Sequence, residues 1–519
     1  MTMDMIKTRS EMTPSLSFLF LVYLLYLANW AMADLTSPFN PQAMQLGADA
    51  ERLGELDFYP CELQGQGSHK ARTAQCAWLS VPENPDDLQG GSRQLFVVRL
   101  AARNAQSLPD PLVAIAGGPG QAASQAFANL DHILWSLTGR RDIYLLDARG
   151  TGRSNPERCE LNADQAKLFE FNSATVREQA QSCLSQLTRP PQFDTTSVAV
   201  RDLEALRRSL DLERWNLFGV SYGTRVVQHY MRRYPDAVRA VVLDGVIPPG
   251  EALGPDIAPH SQRALDVFLA GCAQHEACRQ SYPNLQQELE RLFADLADEP
   301  HKVDYEDLQT GALRSTQFGS ADLAALVRLA LYNSEQLSTL PPMLQAAYQD
   351  QNYSALARMS QRLVQEMDEA MAFAMHNSVV CTEDVPFYRL DNAQREAIER
   401  SYLGRDILDG LRAMCEVWPL GYRDENLNEP LQTDIPSLLL SGQRDPITPP
   451  VYAERAAMGL HHSRHLVVKG QGHGVFPIGC MPEVIAQFIE AGDPGSLNTD
   501  CLKPLKAAPV LLNMNSPGP

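Results

Sequence analysis

The chain of 519 residues has no excess of basic side chains: 44 Lys and Arg stand against 63 Asp and Glu, a formal net charge of −19. An acidic surface repels phosphate backbones, so no nucleic-acid partner is expected. Outside the N-terminal segment no stretch is apolar enough to span a bilayer, which takes about 20 apolar residues. There is no Cys-x-x-Cys pair and no Cys/His cluster with ligand spacing, so neither a metal nor another cofactor is expected. Internal repeats and low-complexity tracts are absent too. What remains is the composition of an ordinary globular protein, 44% hydrophobic and 21% charged. The length exceeds one small core and predicts a large domain with an insertion, or two domains.

The N-terminus reads as an export signal, residues 1–33. Lys7 and Arg9 precede an apolar run over 16–28, and Ala31-Met32-Ala33 then offers a small-x-small cleavage pattern. An uncleaved anchor is the alternative. No Arg-Arg pair precedes the run, which favours the general secretory route. Asp34 follows the proposed cut where a lipoprotein would have Cys. The mature protein is expected in the periplasm or outside the cell, with no stable membrane partner. The ten cysteines suit that setting, because disulfides persist in oxidising compartments. Joining chain neighbours is the simplest pairing: 61–76, 159–183, 272–278, 381–415 and 480–501.

Short Val/Ile/Leu-rich runs occur at 111–116, 142–146, 215–220, 240–243, 437–440 and 465–468. Continuous apolar strands alternating with helices predict an α/β fold with a mostly parallel sheet buried on both faces. Residues 94–100 read as a leading strand, antiparallel to the rest. Strands cluster between about residues 76 and 245 and return only after about 435. The Ala/Leu/Gln/Glu/Arg-rich stretch between them opens at Pro248-Pro249-Gly250 and predicts a mainly helical cap. The expected division is a core over 34–249, a cap over 250–430, the rest of the core over 431–505 and a flexible tail over 506–519.

Gly219-Val220-Ser221-Tyr222-Gly223 carries the strongest chemical signal. A strand leads in and a helical run leads out, the setting of the strained nucleophile elbow of the α/β-hydrolase fold. A plain glycine-rich turn is the alternative. A serine nucleophile needs a base, and the base an orienting acid, in the chain order Ser, Asp or Glu, His. Asp445 follows the strand at 437–440, and His473 follows the strand at 465–468 within Gly470-Gln471-Gly472-His473-Gly474. A turn-forming Asp-Pro and a loop histidine are the plain readings of the two. His461, His462 and His465 lie at the wrong end of their strand. The oxyanion hole needs two backbone N–H donors, assigned to Tyr222 and Gly118. Asp147 and Arg149 are read as a rigid loop held by its own ion pair.

Gly117-Gly118-Pro119-Gly120, Asp147-x-Arg149-Gly150-x-Gly152-x-Ser154 and Gly219-x-Ser221-Tyr222-Gly223 together resemble the prolyl aminopeptidase group of α/β hydrolases. Asp445-Pro446-Ile447-Thr448-Pro449 and the His473 loop look like the secreted tripeptidyl-aminopeptidase branch. The resemblance covers about residues 58–505. It implies hydrolysis at the N-terminus of small peptides through an acyl-enzyme, releasing proline, another residue or a short peptide. Ala116 departs from the group, which often has His there; this weakens the transfer of the proline preference and leaves the backbone donors intact. Cys381-Thr382-Glu383-Asp384 resembles a cap element of the tripeptidyl branch, which makes Glu383 and Asp384 candidates to bind the substrate's α-amino group; a solvated acidic turn is the other reading. An esterase or lipase-like hydrolase on the same triad remains open, as does a non-catalytic binding protein.

Overall fold

The computed structural model describes residues 50–515, apart from 66–70, 88, 105, 158, 160–171, 308–309 and 514. The proposed signal, residues 1–33, lies outside the described residues. Residues 1–50 and 51–519 form two units, and the account below concerns the second.

Eight strands precede the cap: β1 (Glu51–Leu53), β2 (Leu56–Gln64), β3 (Ala71–Pro82), β4 (Ser92–Leu100), β5 (Leu112–Ile115), β6 (Ile143–Leu146), β7 (Trp215–Val220) and β8 (Val238–Asp244). The cap contributes a separate hairpin, β9 (His301–Glu306) and β10 (Leu313–Phe318). The chain then returns through β11 (Ser437–Gly442) and β12 (Ser463–Val468). The ten strands outside the cap form one sheet in the order β1-β2-β3-β4-β6-β5-β7-β8-β11-β12. Pairing from β6 through β12 is parallel. The leading strand β4 runs antiparallel to β6, as its sequence implied.

Strands β5, β6, β7, β8 and β11 are buried almost throughout, which is why each is a continuous apolar run. Strand β2 is different. Leu56, Phe58 and Leu63 point inward while Asp57 and Glu62 face out, and Pro60 interrupts the pattern. It gave no apolar run to read. Pairing with β3 and the Cys61–Cys76 disulfide hold it. All five disulfides join chain neighbours: 61–76, 159–183, 272–278, 381–415 and 480–501.

The insertion between β8 and β11 has its own apolar core, built from residues such as Phe268, Leu292, Leu326, Leu344 and Leu356. The hairpin apart, its elements are helical, among them Ile257–Gln274, Leu285–Asp298 and Ser320–Ala330. Hydrogen bonds hold described residues after 505. The Leu511 N–H donates to Ser338 O at 3.0 Å, and Gln471 Nε2 donates to Lys506 O at 3.0 Å. These contacts fasten residues 506 and 511 to the His473 loop and the cap, while 514 and 516–519 of the stretch expected to be flexible lie outside the described residues.

Candidate active site

Strand β7 delivers Ser221 to the start of the helix Tyr222–Arg233. Ser221 has φ 56° and ψ −124°, a conformation that costs about 1–3 kcal/mol and persists only where neighbours enforce it. Here the enforcers are close. A side chain on Gly219 would meet Gly223 O at 2.6 Å, and one on Gly223 would meet Ile115 O at 2.2 Å. The Ser221 N–H donates to Asp244 O at 2.8 Å, and Thr224 donates to Ser221 O through both its N–H and its hydroxyl.

Asp445 lies in the loop after β11 and is fully buried. Its Oδ1 accepts from the N–H groups of Ile447 at 2.9 Å and Thr448 at 2.8 Å. Its Oδ2 accepts from the Thr448 hydroxyl at 2.8 Å and pairs with His473 Nδ1 at 2.7 Å. Burial pushes the carboxyl up, but the charge and hydrogen bond of His473 and the two backbone donors outweigh it and hold it below its ordinary value. For His473 burial pulls the ring down, while Asp445 raises it by charge and hydrogen bond and Asp244 adds to the rise; the net direction is upward. Arg263 of the cap donates to the Gln443 and Asp445 carbonyls and ties this loop to the helix Ile257–Gln274. The His473 N–H donates to Tyr332 O at 2.9 Å, and the Tyr332 ring meets the imidazole edge-on at 5.2 Å. The cap therefore sets the base as well as covering it.

The Gly117–Gly120 loop lies against the nucleophile. A side chain on Gly117 would come within 2.9 Å of Ser221 Cβ. Gly118 has φ +105°, and a side chain there would press on Gly120 N at 2.7 Å. The cap holds this loop too, since Ala372 N donates to Gly120 O at 2.9 Å. Tyr222 opens the helix after Ser221, so its N–H has no partner within the helix. Its buried side chain hydrogen-bonds Thr196 Oγ1 at 2.7 Å.

Glu383 and Asp384 depart from the reading of a solvated acidic turn: their relative exposures are 1% and 0%. Glu383 accepts from Thr196 N at 2.7 Å and Thr196 Oγ1 at 2.6 Å. Asp384 Oδ1 accepts from Arg225 at 2.8 Å and from Leu253 N at 2.9 Å. Arg225 also lies 3.6 Å from Glu383. A buried cation on the helix after Ser221 has drawn the two carboxylates inward. Burial drives the Glu383 carboxyl up to about 7, against the pull of Arg225 and Thr196.

The loop after β6 also differs from its reading. Arg149 pairs with Asp202, at 2.5 Å and 2.8 Å, and caps the carbonyls of Pro82 and Glu83. Asp147 instead accepts from Ser124 and from Arg153 N. The loop is rigid, but its arginine is held by the helix Thr196–Ser209 and not by its own aspartate. Among the rival histidines, His465 is on β12 with Ser441 Oγ at 2.9 Å, and His462 faces Asp493 at 3.3 Å. Tyr332, Arg225 and Asp244 escaped the sequence reading. Only Asp244, closing an apolar strand as Asp445 follows one, left a signal that could have been read.

Sequence comparison fits this geometry: residues 110–479 match the family described as alpha/beta hydrolase fold. The chain belongs to the α/β-hydrolase-fold family. This α/β hydrolase is 24% identical over 444 residues to YuaR of Escherichia coli strain K12, a protein named only provisionally as a hydrolase, with 80% of this chain and 85% of that one covered. It is 26% identical over 247 residues to the serine protease Hip1 of Mycobacterium tuberculosis strain H37Rv, covering 44% of this chain and 47% of that protein. It is 29% identical over 218 residues to the tripeptidyl aminopeptidase of Streptomyces lividans, covering 39% and 40%. The matches to the last two span less than half of their length. At this level the α/β hydrolase is a serine hydrolase. Among its described residues, no group of three or more His, Cys, Asp or Glu could hold a metal ion, and no helix is long and apolar enough to cross a membrane.

Proposed function

We propose that the protein is an exported serine aminopeptidase that releases an N-terminal residue or a short peptide through an acyl-enzyme. The observation that carries the reading is the 2.7 Å pairing of Asp445 with His473 Nδ1 beside the strained elbow at Ser221. With Nδ1 committed to the acid, Nε2 is left to take the hydroxyl proton of Ser221 as that oxygen attacks a carbonyl. The same nitrogen then protonates the leaving amine, and water repeats the sequence on the acyl-enzyme. Asp445 holds the tautomer and stabilises the imidazolium. The N–H groups of Gly118 and Tyr222 stabilise the oxyanion.

The peptide preference rests on similarity to Hip1 and to the tripeptidyl aminopeptidase, and the substrate is a small peptide with a free N-terminus. Five disulfides and the N-terminal signal support export to the periplasm or the medium. One observation favours a second reading, a carboxylic ester hydrolase on the same residues. The carboxylates suited to an α-amino group, Glu383 and Asp384, are already engaged by Arg225 and Thr196.

A fluorophosphonate probe tests the chemistry: labelling is expected in the unsubstituted protein and absent in Ser221→Ala. Aminoacyl and tripeptidyl reporters run beside acyl esters test the substrate. Turnover of esters alone would replace the peptidase reading with the esterase one.

A further inference from the structure

Asp244 closes β8 and is fully buried, yet the triad does not use it. Its main-chain oxygen accepts from Ser221 N at 2.8 Å. Its side-chain Oδ2 accepts from Val475 N at 2.7 Å and Phe476 N at 2.7 Å, in the loop just past His473. The next residue, Gly245, lies so close to the imidazole that a side chain there would be 2.9 Å from His473 Cε1. Two adjacent residues thus hold the nucleophile's backbone, the base's loop and the base's ring.

Backbone clamping alone does not call for a carboxylate. Asp244 Oδ1 is buried and has no hydrogen-bond partner among the described residues. Leaving a buried polar atom unmatched costs about 1–3 kcal/mol, and more for a charged one. Nor is the clamp the loop's only fastening, because the Phe476 ring packs edge-on against Phe218 of β7 at 5.2 Å. A structural role would be served at lower cost by a neutral acceptor. What a carboxylate adds is negative charge behind the imidazole.

The geometry points to Asp244 as the second carboxylate of the site, a positioning residue that holds the His473 loop against Ser221 and stabilises the imidazolium formed when the serine proton moves to His473. This rests on the hydrolase chemistry proposed above. The groups around the imidazole are Asp445 and the Thr448 hydroxyl from the β11 loop, Asp244 from β8, and Tyr332 and Arg328 from the cap. Asp445 and Asp244 favour the imidazolium, and Arg328 opposes it. Burial raises the Asp244 carboxyl to about 7, against the two backbone donors and the His473 charge, with Asp445 adding to the rise.

The test is Asp244→Asn in the full chain, with kcat/KM followed against pH on whichever reporter the unsubstituted enzyme turns over. Loss of the negative charge lowers the His473 pKa, so the acid limb is expected to move to lower pH. Activity at the plateau is expected to fall roughly tenfold, because a weaker base takes the serine proton less readily. An unmoved limb, with or without a lower melting temperature, overturns the proposal and leaves a structural clamp. Should Asp244→Asn not fold, Asp244→Ser takes its place; if neither neutral variant folds, the residue serves folding and the proposal fails. An unsubstituted enzyme with no turnover and no fluorophosphonate labelling overturns the hydrolase reading itself. An unmoved limb in an active enzyme overturns only the role of Asp244.

Discussion

Arg225, one turn into the helix after Ser221, donates to Asp384 of the cap at 2.8 Å and lies 3.6 Å from Glu383. The cation belongs to the catalytic core and both anions to the cap, so this buried cluster joins the two. Removing one member of such a cluster leaves the others uncompensated, at about 3–5 kcal/mol. Arg225→Met is therefore expected to lower the denaturation midpoint far more than a surface Arg→Met change, as read by urea unfolding.

Glu383→Gln separates bracing from substrate binding. Glu383 contacts Thr196, which holds the Tyr222 hydroxyl, so the substitution is expected to lower kcat/KM equally for peptides with free N-termini and for blocked esters. A rise in KM confined to free N-termini would restore the α-amino-binding role.

The same variant has a signature in stability. The folded pKa of Glu383 is raised to about 7, against about 4.3 for an unfolded glutamate. Between those values the unfolded chain has lost a proton that the folded chain keeps, so this group weakens folding as pH rises through the window and adds no further change above it. Glu383→Gln removes that slope. Its stability relative to the unsubstituted protein is expected to improve between about pH 5 and about pH 8, read by denaturant unfolding at each end.

Arg328 gives a pH effect opposite to that of Asp244. It donates to the Tyr332 hydroxyl at 3.3 Å, and its charge lowers the His473 pKa. Arg328→Gln is expected to move the acid limb of kcat/KM to higher pH. A limb that stays in place would mean the charge is screened from the imidazole.

The Cys381–Cys415 disulfide closes a span of 34 residues and starts two residues before Glu383. In the loop-entropy account a crosslink of that length contributes about 3–4 kcal/mol. Replacing both cysteines with serine is expected to lower the melting temperature, and to lower activity as well, because the brace on the helix after Ser221 hangs from this bond. Loss of melting temperature with full activity would separate the disulfide from the site.

Much of this protein was determined locally. The parallel strands are buried on both faces, so their apolar runs were visible in the chain. The elbow needs glycines on both sides of Ser221, and Asp445 and His473 each follow a strand, so the candidate triad could be read in order. Joining chain neighbours was only the simplest pairing of ten cysteines, and it is the folded chain that selects it. Strand β2 was not legible, because an antiparallel strand with Pro60 and outward charges is stable only through its pairing with β3. Nor was the fate of Glu383 and Asp384, because burial of a carboxylate is decided by what meets it, and Arg225 lies 159 positions from Asp384 in the chain. Arg149 found Asp202 in place of Asp147, and the tail after 505 found Ser338, for the same reason. Local pattern sets which backbone forms where. Only the folded chain decides which distant charges and backbone groups leave water together, since each must find a partner there or stay exposed.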